Sequence, residues 1–313
     1  MALSRRALLA AVAGSTLAGC GSSAGGGAAA PEAPEASASA AEVSGASGAS
    51  AISEATPSEP PTTAPPAPPA PTAATASREP TRAELIARYV GTAPKEWGME
   101  VTGVTTKLPA GESATALTFD ACGGPGGNGY DADLIDFLRK RSVPATLFLN
   151  ARWIDANPDV FKQLAADPLF EIGNHGTVHR PLSVTGRSAY GIAGTGGVGE
   201  VYDEVAGNAH KLAGLLGHPV RFFRSGTAHY DDVAARVVAD LGERAAGFTV
   251  NGDGGATLSA AEVRQELAAA PPGAIVICHM NHPGGGTAPG VVAAVPGLLA
   301  AGRRFVRLSD VLR

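Results

Sequence analysis

Short apolar runs at 116–120, 145–149, 170–173, 221–224, 246–250, 274–279 and 305–308 alternate with longer segments whose apolar positions recur at helical spacing. Each run is brief and rich in Phe, Ile, Val or Leu, the pattern of buried strands; alternation with helices is the rhythm of a parallel α/β sheet or barrel. The intervening helices carry terminal signals. A helix is expected over 81–89. Over 133–141, Leu134, Ile135 and Leu138 share one face, and Asn157-Pro158 is a good cap and first-turn pair for a helix carrying Val160, Phe161 and Leu164. Ser259 and Glu262 have capping-box spacing ahead of Val263 and Leu267, while helices over 200–216 and 232–241 run into Gly217 and Gly242. Seven strands separated by helices predict a (β/α) barrel short of the usual eight strands, with no internal repeat.

The N-terminal quarter breaks this pattern. Arg5 and Arg6, the apolar run 7–17 and Leu17-Ala18-Gly19-Cys20 read as an export signal over 1–20 that ends in a lipobox, with Cys20 as the lipidated residue. The Arg pair leaves both the twin-arginine and the ordinary secretory route open. Residues 21–80 are Ala, Pro, Ser, Gly and Thr with scattered Glu and almost nothing to bury, which predicts a disordered, semi-stiff tether. The chain is then expected to be exported and held at the outer face of the cell membrane by the lipid on Cys20, with one domain over 81–313. The formal net charge is -5, and no periodic segment carries a Lys/Arg stripe, so nucleic-acid binding is disfavoured.

In α/β barrels catalytic groups sit at the C-terminal ends of strands. Here those ends carry Asp120, the stretch from His175 to His179, Arg224, Asp253 and His279, a set that a purely structural barrel has no reason to assemble. A carboxylate closing an apolar strand, as Asp120 does, must be hydrogen-bonded, paired or metal-bound. His175 and His179 are four apart, so a local helical turn would bring both imidazoles to one side of a divalent metal; by spacing alone they could equally be ordinary surface or core residues. Cys122 and Cys278 lack metal-ligand spacing and read either as buried thiols or as a disulfide in an exported domain. "GGPGGNG" at 123–129 lacks the Lys-Ser/Thr of a phosphate loop, and the Gly-rich stretches 184–199 and 283–287 read as mobile rims of a cleft.

"ALTFDACGG", "FEIGNHGTVH", "FFRSGT", "NGDGG" and "AIVICHM" follow the motif order of the polysaccharide deacetylase family, the NodB homology domain, and the region over 114–313 resembles that family. The resemblance implies a deformed (β/α) barrel and a hydrolase that removes N- or O-acetyl groups from a polysaccharide with a bound divalent metal, Zn²⁺ or else Co²⁺ or Mn²⁺. It implies Asp120 as general base, His175 and His179 as metal ligands, Arg224 as the partner holding the base, Asp253 as a tuning group and His279 as general acid. The backbone N–H that stabilises the oxyanion would come from Ser225-Gly226-Thr227, which makes Gly226 and Thr227 candidates.

Two departures stand out. The family's first motif has a second Asp as third metal ligand, and here that position is Ala121, which cannot coordinate. A water completing a two-histidine site is the first expectation; the alternatives are entry of Cys122, Asp131 or Asp133, or no metal. The segment after Arg224 lacks the family's Pro and aromatic residue, and His229 and His282 are spare imidazoles. The leading functional reading is deacetylation of an acetylated polymer such as peptidoglycan or a chitin-like glycan. Against it stand a glycan-binding lipoprotein that has lost catalysis with its Asp, and a hydrolase of a small-molecule amide on the same scaffold.

Overall fold

A computed structural model of the chain describes residues 78–312. The export signal with Cys20 and the Arg pair, and all but the last three positions of the tether, lie outside the described residues. Among the described residues eight parallel strands form one sheet: β1 Thr115–Ala121, β2 Ala145–Leu149, β3 Phe170–Asn174, β4 Phe222–Phe223, β5 Arg244–Ala245, β6 Val250–Asn251, β7 Ile275–His279 and β8 Phe305–Val306. Seven of them run in the order β5-β4-β3-β2-β1-β7-β6, and β8 pairs the start of β1, with Phe305 opposite Thr115. The sheet curls into a half-barrel with the helices packed around it, as the α/β pattern predicts. No described helix is long and apolar enough to cross a membrane.

Strand alternation divides β1 between two layers. Leu117, Phe119 and Ala121 join the apolar cluster that holds Leu134, Leu138 and Trp153 of the flanking helices. Thr118 and Asp120 face the opposite way, toward Arg224. Register then levels the strand ends: Asp120 stands beside Phe148 of β2 and His279 of β7, and Asn174 of β3 beside Phe223 of β4. Every sequence-predicted polar strand end is therefore carried to one rim.

Several expectations are corrected. The strand expected over 221–224 keeps only Phe222–Phe223, and the run 246–250 is not one strand: β5 ends before it and β6 begins at Val250. The run 305–308 yields β8 and then a turn of helix, Leu308–Val311. Helix Thr287–Ala300 was hidden by its own glycines and prolines, which are poor helix formers. It forms because Gly290 lies so close to Val263 of helix Ala260–Ala269 that any side chain there would collide, and this contact outweighs weak propensity. Cys122 and Cys278 are both free thiols, Cys278 buried in the apolar layer, so the disulfide alternative falls.

A polar network braces the end of β3 from behind. Asn174 donates to the Val205 carbonyl and to Glu243 Oε1, both at 3.0 Å, and Asn208 donates to Asn174 Oδ1 at 2.8 Å. Glu243 is buried, and its Oε2 has no partner among the described residues. Burial pushes its carboxyl up from 4.5 to about 8, against the smaller lowering by Asn174. The unfolded chain ionises Glu243 first, so its contribution to stability is full at acid pH and declines as pH rises from about 4.5 to about 8. Thermal melts across that range should show wild type losing stability relative to Glu243→Gln as pH rises; parallel curves would refute the assignment.

Candidate active site

Arg224 is wholly buried yet almost fully hydrogen-bonded. Its Nη1 donates to Asp120 Oδ1 at 2.7 Å and to Thr118 Oγ1 at 2.8 Å, Nη2 to the Gly247 carbonyl at 2.9 Å, and Nε to the Ala246 carbonyl at 3.3 Å. Its guanidinium carbon lies 4.2 Å from the centre of the Phe148 ring. Burial alone would raise the Asp120 carboxyl, but the charge of Arg224, aided by His175 and His279, holds it below the usual carboxylate range. Asp120 is thus a carboxylate held toward its charged form, and its second oxygen, Oδ2, lies 3.6 Å from His175 Nε2.

The two histidines meet, but not through a helical turn. Gly176 and His179 both take left-handed backbone, φ 77° and 66°, and the chain reverses between them. Glu204 from helix Val198–Leu216 pins this turn, accepting from the N–H groups of Val178 and Arg180 at 3.1 Å. A side chain at Gly176 would strike that carboxylate, so the glycine is required by both φ and space. The rings end 4.9 Å apart, edge to face. His175 Nδ1 donates to the Arg224 carbonyl at 2.9 Å, which leaves Nε2 as the nitrogen turned toward Asp120 and Cys122. His179 Nε2 is buried without a hydrogen-bond partner among the described residues.

Cys122, one position past the end of β1, completes the group. Its Sγ lies 3.8 Å from His175 Nε2, and the donor atoms of Cys122, His175 and His179 all fall within 4.8 Å of one another. A tetrahedral Zn²⁺ with a sulfur at about 2.3 Å and a nitrogen at about 2.0 Å sets that pair roughly 3.6 Å apart. The orphaned His179 nitrogen and the donor spacing fit a divalent metal. Asp131 and Asp133 do not enter: Asp131 caps helix Ala132–Lys140 through the Leu134 N–H, and Asp133 lies in that helix's first turn.

His279 closes β7. Asp253, fully buried, accepts from the His279 N–H at 2.6 Å and contacts its Nδ1 at 3.0 Å, while Thr287 donates to the same carboxylate at 2.9 Å. Burial opposes the imidazolium, but the bond to Asp253, together with Cys122, holds His279 well above the ordinary imidazole range. Asp253 is correspondingly held low.

These groups face a cleft of about 530 Å³ lined by Asp120, Cys122, His179, Thr227 and His279, with Tyr190 at its rim. Thr227 Oγ1 is buried and unpartnered among the described residues, whereas the Gly226 N–H already donates to the Arg180 carbonyl at 3.3 Å. The rim 184–199 is tied down, not loose: Thr195 and Ser183 exchange hydrogen bonds at 2.6 and 2.8 Å, and Arg180 reaches the Gly194 carbonyl at 2.6 Å. The stretch 283–287 leads directly into helix Thr287–Ala300. Tyr190 stands edge-on to His229 at 5.2 Å, and His229 lies 5.8 Å from Trp97. This aromatic group was invisible in sequence, because Trp97 sits far from any motif. His229 Nδ1 is tied to the Thr227 carbonyl at 2.8 Å, and His282 lines the cleft.

Residues 107–246 match the sequence model of polysaccharide deacetylases. Over that stretch the chain is similar to polysaccharide deacetylases. The matched stretch contains Asp120, both histidines and Arg224, and ends before Asp253 and His279. The deacetylase fold recurs in solved structures. A family 4 carbohydrate esterase pseudoenzyme from Bacillus anthracis is 20% identical, with 68% of this chain and 70% of that chain covered and a TM-score of 0.56. PdaA, a family 4 carbohydrate esterase of Bacillus subtilis, is also 20% identical, with 73% and 87% covered and a TM-score of 0.55. A family 4 acetyl xylan esterase from Clostridium thermocellum, solved in complex with a cobalt ion, is 20% identical, with 63% and 89% covered and a TM-score of 0.50. No curated protein sequence matches the chain significantly.

Were His279 to supply the acid, the Asp253 contact would set its alkaline limit. Removing the carboxylate by Asp253→Asn lowers the imidazolium's pKa. The alkaline limb of kcat/KM should then move to lower pH with the acid limb unchanged; an unmoved alkaline limb would exclude His279 as the group that limits activity at high pH.

Proposed function

We propose that this domain hydrolyses acetyl groups, amide- or ester-linked, from an acetylated envelope polysaccharide such as peptidoglycan or a chitin-like polymer. What carries this reading is one observation: a carboxylate hydrogen-bonded to Arg224 and an imidazole in contact with Asp253 stand on adjacent strands and open into one cleft. Environments that push two titratable groups apart in this way assign a base and an acid. Asp120 takes the proton of the attacking water, and His279 delivers one to the leaving sugar nitrogen or oxygen, so that acetate and a free amine or hydroxyl are the products. A divalent metal, Zn²⁺ or else Co²⁺ or Mn²⁺, supplies polarisation of the acetyl carbonyl and acidification of the water. His175 and His179 are the residues to hold it.

Thr227 offers its hydroxyl to the oxygen that gains charge as the carbonyl is attacked, with the Gly226 N–H a weaker candidate because it is already engaged. Tyr190, at the cleft rim and backed by His229 and Trp97, presents an aromatic face suited to a sugar ring. Lipidation of Cys20 would hold the chain at the outer face of the membrane, with residues 21–80 as the tether across which the domain reaches its polymer. Cys20→Ser should move the protein from the membrane fraction to the soluble fraction; unchanged partition would remove the anchor.

The enzymatic test is acetate release from acetylated chitooligosaccharide and from peptidoglycan with Zn²⁺ present. Wild type should release acetate, and Asp120→Asn and His279→Ala should each lose about 10²- to 10⁴-fold in kcat with their fold retained. Glycan binding by wild type without any acetate release would replace the enzyme by the binding lipoprotein. Acetate release from small N-acetyl amides in preference to either polymer would move the substrate to the small-molecule class.

A further inference from the structure

We infer that Cys122 is the third protein ligand of the metal centre, which makes it a Cys-His-His site with a thiolate where the family's first motif offers a carboxylate. Strand alternation supplies the first argument. Residues 118, 120 and 122 fall on the side of β1 that faces Arg224 and His175, whereas Ala121 is packed in the apolar layer with Leu134 and Trp153. The side chain that reaches the histidines past the strand end is therefore that of position 122, not 121.

The second argument is the local arrangement. Gly123 follows with φ 70°, and a side chain there would press on the Trp153 backbone, so the chain turns away from the site directly after Cys122. The thiol is left facing His175 at 3.8 Å. Two features on the opposite side of the group point to a ligand in its midst and do not depend on the thiol. His179 Nε2 is buried without a partner among the described residues, and the bond from His175 Nδ1 to the Arg224 carbonyl fixes that ring with Nε2 toward the group.

A thiolate and two imidazoles form a soft donor set that favours Zn²⁺ and Co²⁺ over Mn²⁺ and Mg²⁺. Three protein ligands leave a tetrahedral ion one open position, the arrangement of catalytic zinc sites. Asp120 engages Arg224 through Oδ1 and is not among the three residues whose donor atoms lie within 4.8 Å of one another, so it remains available as a base.

The inference rests on the metal in the proposed function and is read without substrate. Metal-free full-length protein is titrated with Co²⁺ and followed by near-ultraviolet and visible absorption. Wild type should bind one Co²⁺ with a thiolate-to-cobalt charge-transfer band. Cys122→Ser should lose the band and bind Zn²⁺ at least about 100-fold more weakly, the upper end of what losing an outer-shell partner does. Cys122→Asp, which restores a charged ligand at the same position, should bind without the band and gain Mn²⁺ affinity relative to Zn²⁺. Three results would each overturn the assignment: no band in wild type, an undiminished band or Zn²⁺ affinity in Cys122→Ser, or an acetyl thioester on Cys122 trapped during turnover. A band without acetate release would support the ligand while sinking the deacetylase.

Discussion

The buried ion pair between Arg224 and Asp120 is the contact on which the rest of the site depends. Its cation ties together elements remote in sequence: β1 through Thr118 and Asp120, β2 through the Phe148 ring, and the segment after β5 through two carbonyls. The carbonyl of the same residue orients His175. Removing one partner of such a pair leaves an uncompensated charge in the interior, which costs about 3–5 kcal/mol. Here the remaining donors of the guanidinium are nearly all satisfied, so the charge is tolerated and fixes geometry at the same time. A base that must stay ionised at the bottom of an apolar sheet needs a partner of this kind.

Around that pair the sheet does the positioning. Parallel strands in register bring their C-terminal ends to one level, so Asp120 and His279 are neighbours by pairing alone, without any loop having to fold them together. Loops then add what the strands cannot. The reversal at 175–179, pinned by Glu204, swings His179 back beside His175, and the segment carrying Asp253 reaches behind His279.

Much of this was legible from residue order because strand ends announce themselves: an apolar run of four to six residues that stops at Asp, His or Arg has only a few places to go. The fold class and the five polar strand ends followed from that pattern, whereas the pairing of Asp120 with Arg224 came from the family resemblance. What was not legible depended on backbone reversals and distant partners. The spacing of His175 and His179 was informative, but a turn with left-handed residues, not a helix, joins them. Glu204 lies on a helix with no motif around it, Tyr190 and Trp97 are far apart in sequence, and helix Thr287–Ala300 reads as loop until its contact with Val263 is known. Cys122 was available to simple alternation, which sets 120 and 122 on one face of β1; the reading that started from Ala121 named it only as one of several alternatives to a water.

Whether these strand ends enclose a metal-bearing hydrolytic centre is decided by anomalous diffraction at the zinc edge from crystals of Zn²⁺-loaded protein. One peak is expected, bounded by Cys122 Sγ, His175 Nε2 and His179 Nε2, next to Asp120. A cleft without zinc density, or zinc bound away from these three residues, would contradict it.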